Sequence, residues 1–502
     1  MTAVSVTIDL ANEAATAALM ADLALLISRN DVITLTGDLG AGKTTAARAL
    51  IRYLADDETL EVPSPTFTLA QAYDLSTPVL HVDLYRINDA SELDELGLAP
   101  FPDDTLVLIE WPDRAGNALP ADRIDMAFSH RNGGEGRNAV VTGHGAAEAK
   151  VRRLAALRTF LERSGALRAV RKRMDGDAST RSYARLVDGG RSTILMNSPE
   201  KSDTQLIYGG KSYIAAVHLA DSIVPFVAIG RGLRARGLSV PVIHHTDLDA
   251  GFLICEDLGS EGVLQGSPPA PIEERYHAAT DVLVQLHKDA LPRELPVEGR
   301  GDYAIPSFDV DGMLIEVSLL LDWYLPDRNV EVTTAMRESF YTLWRDFLDV
   351  ALAVPATWVI RDYHSPNLIW LAGRDGMARV GVIDFQDAVL GPPTYDVVSL
   401  AQDARVDVSE PLEITLVSRY VRGRRGDNPS FEPAAFAESY ARMSAQRNTR
   451  LLGVFSRLNR RDGKPHYLRH QPRIWGYLQR ALAHPALADI RQWFEAHVPP
   501  PA

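Results

Sequence analysis

Two hydrophobic rhythms divide this chain. Up to about residue 145, short apolar runs alternate with stretches of helical period. "DVITLTG" (31–37) is an apolar run ending in glycine, "TTAARALIRYL" (44–54) repeats at helical spacing, and "VLHVDLYRI" (79–87) and "TLVLIEWP" (105–112) read as buried strands. Continuous apolar strands alternating with helices predict an α/β domain around a largely buried sheet. Further on, "RSYARLVDGGRSTILMNSP" (181–199) predicts a hairpin turning at "DGG", and "FLICEDLG" (252–259) a strand running into a loop. From about 270 helical spacing dominates, as in "ERYHAATDVLVQLHKDAL" (274–291) and "ESFYTLWRDFLDVAL" (338–352), broken by one strand-like run, "ARVGVIDFQDA" (378–388). The second rhythm predicts a small β-rich lobe at about 155–260 and a larger helical lobe at about 265–502.

The rhythms meet where the charge changes. "HRNGGEGRN" (130–138) is a Gly-rich turn, "HGAAEAK" is small and polar, and "KVRRLAALRTFLERSGALRAVRKR" (150–173) is basic with a helical period. A boundary near 148–155 follows, giving domains 1–150 and 151–502. The net charge is −14, and residues 1–150 hold 10 Lys and Arg against 23 Asp and Glu, while the remainder holds 42 against 43. So acidic a first domain repels phosphate backbones, and no direct nucleic-acid binding is expected of it. Its acidity is either a solvated surface or a face for a basic partner protein. The 502 residues exceed one core. The single cysteine, Cys255, excludes an intrachain disulfide and a Cys-based zinc site, as in a reducing compartment. With no basic stretch ahead of the first apolar segment and no apolar run long enough for a bilayer, a soluble cytoplasmic protein without membrane association is expected.

Candidate chemistry then appears twice. Gly37-Asp38-Leu39-Gly40-Ala41-Gly42-Lys43-Thr44 follows a strand and opens a helix, the context of a phosphate-binding P-loop. Glycines let backbone N–H groups turn toward phosphate oxygens, the helix N-terminus adds a positive dipole, Lys43 reaches the β/γ phosphates of ATP and the Thr44 hydroxyl reaches Mg²⁺. Glu110, ending "LVLIE", stands where a magnesium carboxylate from a neighbouring strand belongs. Asp83 shares a strand face with His81 and Tyr85. That face either points at a site or pairs Asp83 with an arginine such as Arg86.

The second set lies in "VIRDYHSPNL" (359–368) and "VIDFQDA" (382–388). Phosphoryl transfer to a hydroxyl needs a proton acceptor, a metal clamp and an orienting group. Asp362 fits the acceptor, and Asn367, five residues on, with Asp384 fits the Mg²⁺ ligands. Ser179 and Thr180 in "GDASTRSYARL" (176–186) either contact phosphates or form an ordinary turn. "CEDLG" (255–259) reads as a hinge, its backbone around Glu256–Leu258 beside an adenine. Asp396 reads as structural, pairing with Arg361 or capping a helix, and His364 either touches substrate or braces the loop. The Arg-rich stretch 446–473 reads as a solvated helical face.

"GDLGAGKTT", "SPTFTL" (64–69), "HVDLYR" and "IEWPDR" in this order resemble the TsaE family, the ATPase subunit of the bacterial machinery that makes threonylcarbamoyladenosine (t6A) at position 37 of tRNA. The resemblance covers about residues 5–145. It implies phosphate and Mg²⁺ binding by Lys43 and Thr44, a metal site completed by Glu110, and Asp83 beside the γ-phosphate. It also implies a switch-like Thr66, Thr16 near the adenine, and a Gly136-Arg137 turn closing over it, with Thr45 among the nucleotide contacts. Its partners would be the other t6A synthesis proteins. "STRSYARL", "ILMNSP", "EDLG", "RDYHSPNL", "IDFQDAVLGP" and "GVFSRLNRRDGKPHYL" resemble the aminoglycoside-phosphotransferase-like kinases, and among them the anomeric kinases of N-acetylmuramate and N-acetylglucosamine in cell-wall recycling. Two positions depart from the wider pattern. Ile360 stands where many such kinases have histidine, and Met196 and Asn197 stand where many carry a phosphate-binding lysine, leaving Arg181, Lys172 or Lys211 for that role. The expected fold is an α/β P-loop NTPase domain followed by a bilobal α+β protein-kinase-like domain. The expected function is a two-enzyme fusion using ATP and Mg²⁺. The alternatives are a kinase fold kept as a regulatory module of the ATPase, a kinase for an amino alcohol or aminoglycoside, and a P-loop that binds nucleotide only as a switch.

Overall fold

A computed structural model describes the chain except residues 1–3, 88, 90–91, 94–99, 132–135, 175–180, 201–205, 209 and 502. The chain forms two compact units, 1–199 with 243–257, and 200–242 with 258–502.

The first unit begins with strand β1 (Val4–Leu10), helix α1 (Glu13–Ala24), strand β2 (Val32–Thr36) and helix α2 (Lys43–Ala55). Strands β3 (Ala70–Tyr73), β4 (Val79–Asp83), β5 (Leu106–Glu110), β6 (Arg123–His130) and β7 (Arg137–His144) complete a mixed sheet in the order β1-β7-β6-β2-β5-β4-β3. Strand β5 is buried along its whole length between parallel neighbours β2 and β4, which explains its unbroken apolar run. The registers Leu35↔Glu110 and Asp83↔Glu110 bring both carboxylates level with the end of β2, where the Gly-rich loop begins. The strand read over 79–87 stops at Asp83, because Leu84 turns to bond the Glu110 carbonyl.

The expected boundary falls inside helix α3 (Glu148–Arg163). Its Val151 and Leu154 enter the core beneath the P-loop sheet. One turn on, Leu157, Phe160 and Leu161 enter a second core with Leu25, Ala184, Leu186, Leu195, Phe252 and Ile254. The helical period read over 150–173 therefore ends at Arg163, and strand β8 (Val170–Arg173) follows. With β9 (Ser182–Asp188), β10 (Arg191–Asn197), β11 (Ile243–Asp247) and β12 (Phe252–Glu256) it forms an antiparallel sheet ordered β11-β12-β10-β9-β8. A fully buried carboxylate ties the two sheets together: Asp22 of α1 accepts from Arg158 of α3 at 2.7 Å and Arg171 of β8 at 2.9 Å.

The second unit is mostly helical: α4 (Val224–Arg234), α5 (Glu273–Leu286), α6 (Val310–Leu319) and α7 (Thr334–Leu352) precede two short β-ladders. β13 (Thr357–Val359) pairs with β16 (Val389–Gly391), and β14 (Leu368–Trp370) with β15 (Val380–Val382). The strand read over 378–388 is formed only over Val380–Val382, and β16 begins after it. Asp384, between β15 and β16, has φ 59, a left-handed backbone that cannot continue a strand. α8 (Thr394–Ala401), α9 (Glu410–Asp427), α10 (Pro433–Asp462), α11 (Gln471–Leu482) and α12 (Ala488–His497) close the unit. The 30-residue α10 lies so near α6 that a Cβ on Gly453 would come within 2.3 Å of the Leu319 backbone.

Candidate active sites

The first site grows from the turn between β2 and α2. Gly37 and Gly42 have φ of 135 and 110, and a Cβ on Gly37 would meet the Phe128 carbonyl at 2.4 Å, so only glycine fits. Asp38, Leu39 and Gly40 are exposed at the loop tip, Ala41 and Gly42 are buried, and Thr45 is half-buried behind Thr44. Lys43 is 4% exposed; its ammonium donates to the carbonyls of Gly37 (2.7 Å) and Asp38 (3.0 Å) and lies 3.8 Å from the centre of the Trp111 ring. Burial lowers its pKa, against the charges of Glu110, Asp83 and Asp38.

The carboxylates sit as the registers require. Glu110 accepts the Thr44 hydroxyl on one oxygen (2.9 Å) and bonds His81 with the other (3.0 Å). Asp83 accepts both the Ser64 and Thr66 hydroxyls, at 2.6 and 2.7 Å, and the Tyr85 amide, at 2.9 Å. This joins the "SPTF" segment to the site. Arg86 lies 4.2 Å over the Phe67 ring. Arg137 reaches the loop from β7: a Cβ on Gly42 would meet its guanidinium at 2.6 Å. Gly136 has φ 82 and abuts the end of β1. Thr16 is buried in α1, its hydroxyl directed at the Asn12 carbonyl. Leu39 and Phe67 are 82% and 81% exposed, an apolar rim around a polar centre.

The second site is built in the second unit. Arg361 has φ 76, and its loop is held from several sides. Asp396 of α8 accepts the Ile360 and Arg361 amides, at 2.6 and 2.8 Å. Ser399 donates to the Arg361 carbonyl (3.1 Å), and the guanidinium bonds the Val217 carbonyl (2.9 Å) and Glu316. Asp396 is therefore structural, as expected, but acts on backbone amides rather than on the Arg361 side chain. Burial pushes its carboxyl up to about 7 despite those two bonds. Asp403 holds the next stretch through the Ser365 amide and hydroxyl. His364 braces the loop: its Nε2 accepts from Arg405 at 2.8 Å, and burial lowers its pKa to about 4, so the ring is neutral.

Between these braces the three predicted residues converge. Asn367 Nδ2 donates to the Asp362 carbonyl (3.0 Å) and lies 3.5 Å from Asp384 Oδ2, while Gln386 donates to Asp384 Oδ1 at 2.7 Å. Burial raises the Asp362 pKa, but the charges around it, the guanidiniums of Arg450, Arg361 and Arg447 among them, outweigh this and leave the carboxyl below its ordinary value. Among the described residues no group of three or more His, Cys, Asp or Glu forms a protein-only metal cage. Hydroxyl, amide and one or two carboxylate oxygens are what Mg²⁺ takes when phosphates complete its shell, so both donor sets fit it.

Other predicted residues are spread more widely. Ser179 and Thr180 lie outside the described residues. Arg181 is buried just ahead of β9, Glu256 ends β12, and Leu258 belongs to the second unit. Lys172 and Lys211 are exposed. Asn197, where a lysine was missed, is buried and bonded to Arg153 (2.8 Å), the Leu25 carbonyl (3.1 Å) and Ser182 (2.8 Å). It ties β10 to α3, to the end of α1 and to β9. Sequence reasoning did not assign Trp111, Gln386, Glu316, Asp403 or Arg447. Only position beside a motif could have flagged the first two; Glu316 and Arg447 come from distant helices, and Asp403 from the stretch just after α8.

The geometry defines two ATP-handling classes in one chain, a P-loop NTPase and a phosphotransferase of the kinase fold. The chain belongs to two families: the Phosphotransferase enzyme family, whose model matches residues 170–437, and the family of the Threonylcarbamoyl adenosine biosynthesis protein TsaE, whose model matches residues 10–139. It is accordingly an enzyme. It is 36% identical over 360 residues to the N-acetylmuramate/N-acetylglucosamine kinase of Caulobacter vibrioides, covering 69% of this chain and 97% of that one. It is 35% identical over 123 residues to the tRNA threonylcarbamoyladenosine biosynthesis protein TsaE of Rickettsia conorii, covering 24% of this chain and 70% of that one. Among solved structures, a choline/ethanolamine kinase family protein from Mesorhizobium loti is 14% identical, with 69% of this chain and 99% of that one covered and a TM-score of 0.40. Among the described residues no helix is long and apolar enough to cross a membrane.

Proposed function

We propose that the chain is a bifunctional fusion. Its first domain is an ATPase of t6A synthesis, and its second transfers the ATP γ-phosphate to the anomeric hydroxyl of N-acetylmuramate or N-acetylglucosamine, a step of cell-wall recycling in the cytoplasm. The observation that carries the kinase half is the convergence of Asp362, Asn367 and Asp384 in a chain that spans almost the whole of a sugar-kinase relative. Asp362, kept ionised by its neighbours, accepts the hydroxyl proton as the oxygen attacks phosphorus. Asn367 and Asp384 would hold Mg²⁺, which neutralises charge on the phosphates when bound.

In the first domain the loop amides and Lys43 bind the phosphates, Thr44 and Glu110 would hold Mg²⁺, and Asp83 with Thr66 places a polar cluster beside the γ-phosphate. Arg137, packed on Gly42, and Thr16 lie on the nucleotide side. The exposed Leu39 and Phe67 suit contact with the t6A partner proteins, and the acidic surface disfavours direct tRNA contact.

The test is phosphate transfer from ATP to both sugars by the full chain, beside Asp362→Ala. Sugar 1-phosphate that disappears in the variant supports the reading. Product unchanged in the variant, or none from the wild type, overturns the kinase half. ATP hydrolysis that stays at background with the t6A partner proteins present overturns the other half.

A further inference from the structure

Helix α10 brings Arg447 and Arg450, three residues apart, to the neighbourhood of Asp362. Arg450 is matched by Glu316, with Nε 3.2 Å from Oε1. The same carboxylate, 1% exposed, takes the Arg361 guanidinium and the Gln446 amide. Arg447 is different. It is 2% exposed, and its Nε and Nη1 are enclosed with no hydrogen-bond partner among the described residues.

Two of the nearby carboxylates, those of Asp403 and Asp396, are already engaged. Asp403 accepts from the Ser365 hydroxyl and amide and from the Arg405 amide, and Asp396 from two loop amides. Asp362 and Asp403 are the carboxylates whose charge reaches Arg447, with Arg450 opposing it. A guanidinium carries five donors, and burying it without acceptors is costly unless something else supplies them. Planar, forked and permanently charged, it matches a carboxylate.

Resting on the kinase reading above, we propose that Arg447 is a specificity residue of the second site and pairs with a carboxylate carried by the acceptor sugar. It then selects N-acetylmuramate, which bears a lactyl carboxylate, over neutral N-acetylglucosamine. The same unpaired positive charge opposes a cationic acceptor such as an aminoglycoside or amino alcohol.

Steady-state kinetics of the full chain with ATP and each sugar test this, comparing wild type, Arg447→Met and Arg447→Lys. Loss of a charge-assisted pair predicts a KM for N-acetylmuramate raised about 30-fold in Arg447→Met, with that for N-acetylglucosamine changed less than about threefold. Arg447→Lys lies between. In the wild type, the neutral methyl ester of N-acetylmuramate should behave like N-acetylglucosamine, a measurement independent of whether the variants fold. An ester as good as the acid overturns the proposal. So does an equal fall in kcat for both sugars with a shifted acid limb, which would make Arg447 only a counter-charge for Asp362. A raised KM for ATP alone would place it on the nucleotide and also overturn it. A wild type inactive on both sugars overturns the kinase reading itself, a result distinct from all of these.

Discussion

The two sites hold their reacting groups by opposite means. The P-loop does it with backbone: glycines at φ 135, 80 and 110 bend eight consecutive residues, and a short strand register brings up Glu110 and Asp83. The second site bends at Arg361 and Asp384, two residues that carry side chains in left-handed conformations. Such conformations cost on the order of 1–3 kcal/mol each and persist only where the surroundings fix them. Here Asp396, Ser399, Glu316 and the Val217 carbonyl, from parts of the chain far from Arg361 in sequence, fix the first bend, and Gln386 bonds Asp384 at the second. One site is written in a contiguous stretch, the other is assembled by a packed helical unit.

The sharpest way to break this comparison is to disable one site and read the other. Asp362→Ala should lower sugar phosphate formation about 10³-fold, the loss of a general base, while hydrolysis at the P-loop is unchanged. Lys43→Ala should do the converse. Parallel assays of both activities on each variant decide it; a variant that silences both would show that the sites are not separate chemically.

Next in size is the tie between the two sheets of the first unit. Asp22→Ala leaves Arg158 and Arg171 facing each other without their carboxylate, and the unit should lose roughly 3–5 kcal/mol. Calorimetry of the full chain should show its transition falling, with the second unit's transition unmoved. A smaller effect is expected from Asp396→Asn, which turns an NH₂ toward one of the two amides it now accepts. About 1–3 kcal/mol should go from the second unit, and kcat for sugar should drop while P-loop hydrolysis holds.

The same contrast explains what the sequence revealed. Gly37 to Thr44, Glu110 and Asp83 were legible because glycine spacing and buried-strand periodicity are local signals, and the parallel register follows from them. Asp362, Asn367 and Asp384 were legible as a spaced motif. The braces were not. Nothing local to Glu316, Asp403 or Arg447 separates them from the solvated charges of other helices, and the Arg-rich stretch containing Arg447 was read as a solvated face although Arg447 is buried. Periodicity also ran past real ends. It carried a helix through Arg163 into β8 and a strand through Asp384, because neither a shared helix nor a left-handed residue changes the apolar pattern. The basic, amphipathic stretch at the expected boundary is a single helix packed against both sheets, which its composition alone does not show.

The smallest expected effect is an acid sensitivity confined to one unit. Among the described residues, the histidines whose pKa is lowered, His287, His364 and His470, all belong to the second unit. His287 is buried, its Nδ1 2.8 Å from the Tyr420 hydroxyl and Nε2 3.2 Å from the Trp358 carbonyl. Burial lowers its pKa from 6.5 to about 3, and the charge of Arg424 adds to this. The fold therefore holds a neutral ring while the unfolded chain takes up a proton below pH 6.5. The stability from this group is complete above that value and is lost as pH falls toward 3, at about 1.4 kcal/mol per pH unit. Between pH 7 and 5 the second unit's calorimetric transition should fall more than the first unit's, and His287→Gln should flatten that difference by about 2 kcal/mol. An equal pH response of the two transitions, or an unaltered slope in the variant, would remove the buried neutral histidine as its cause. Acid would then cease to distinguish a unit braced by buried side chains from one whose site is built of backbone.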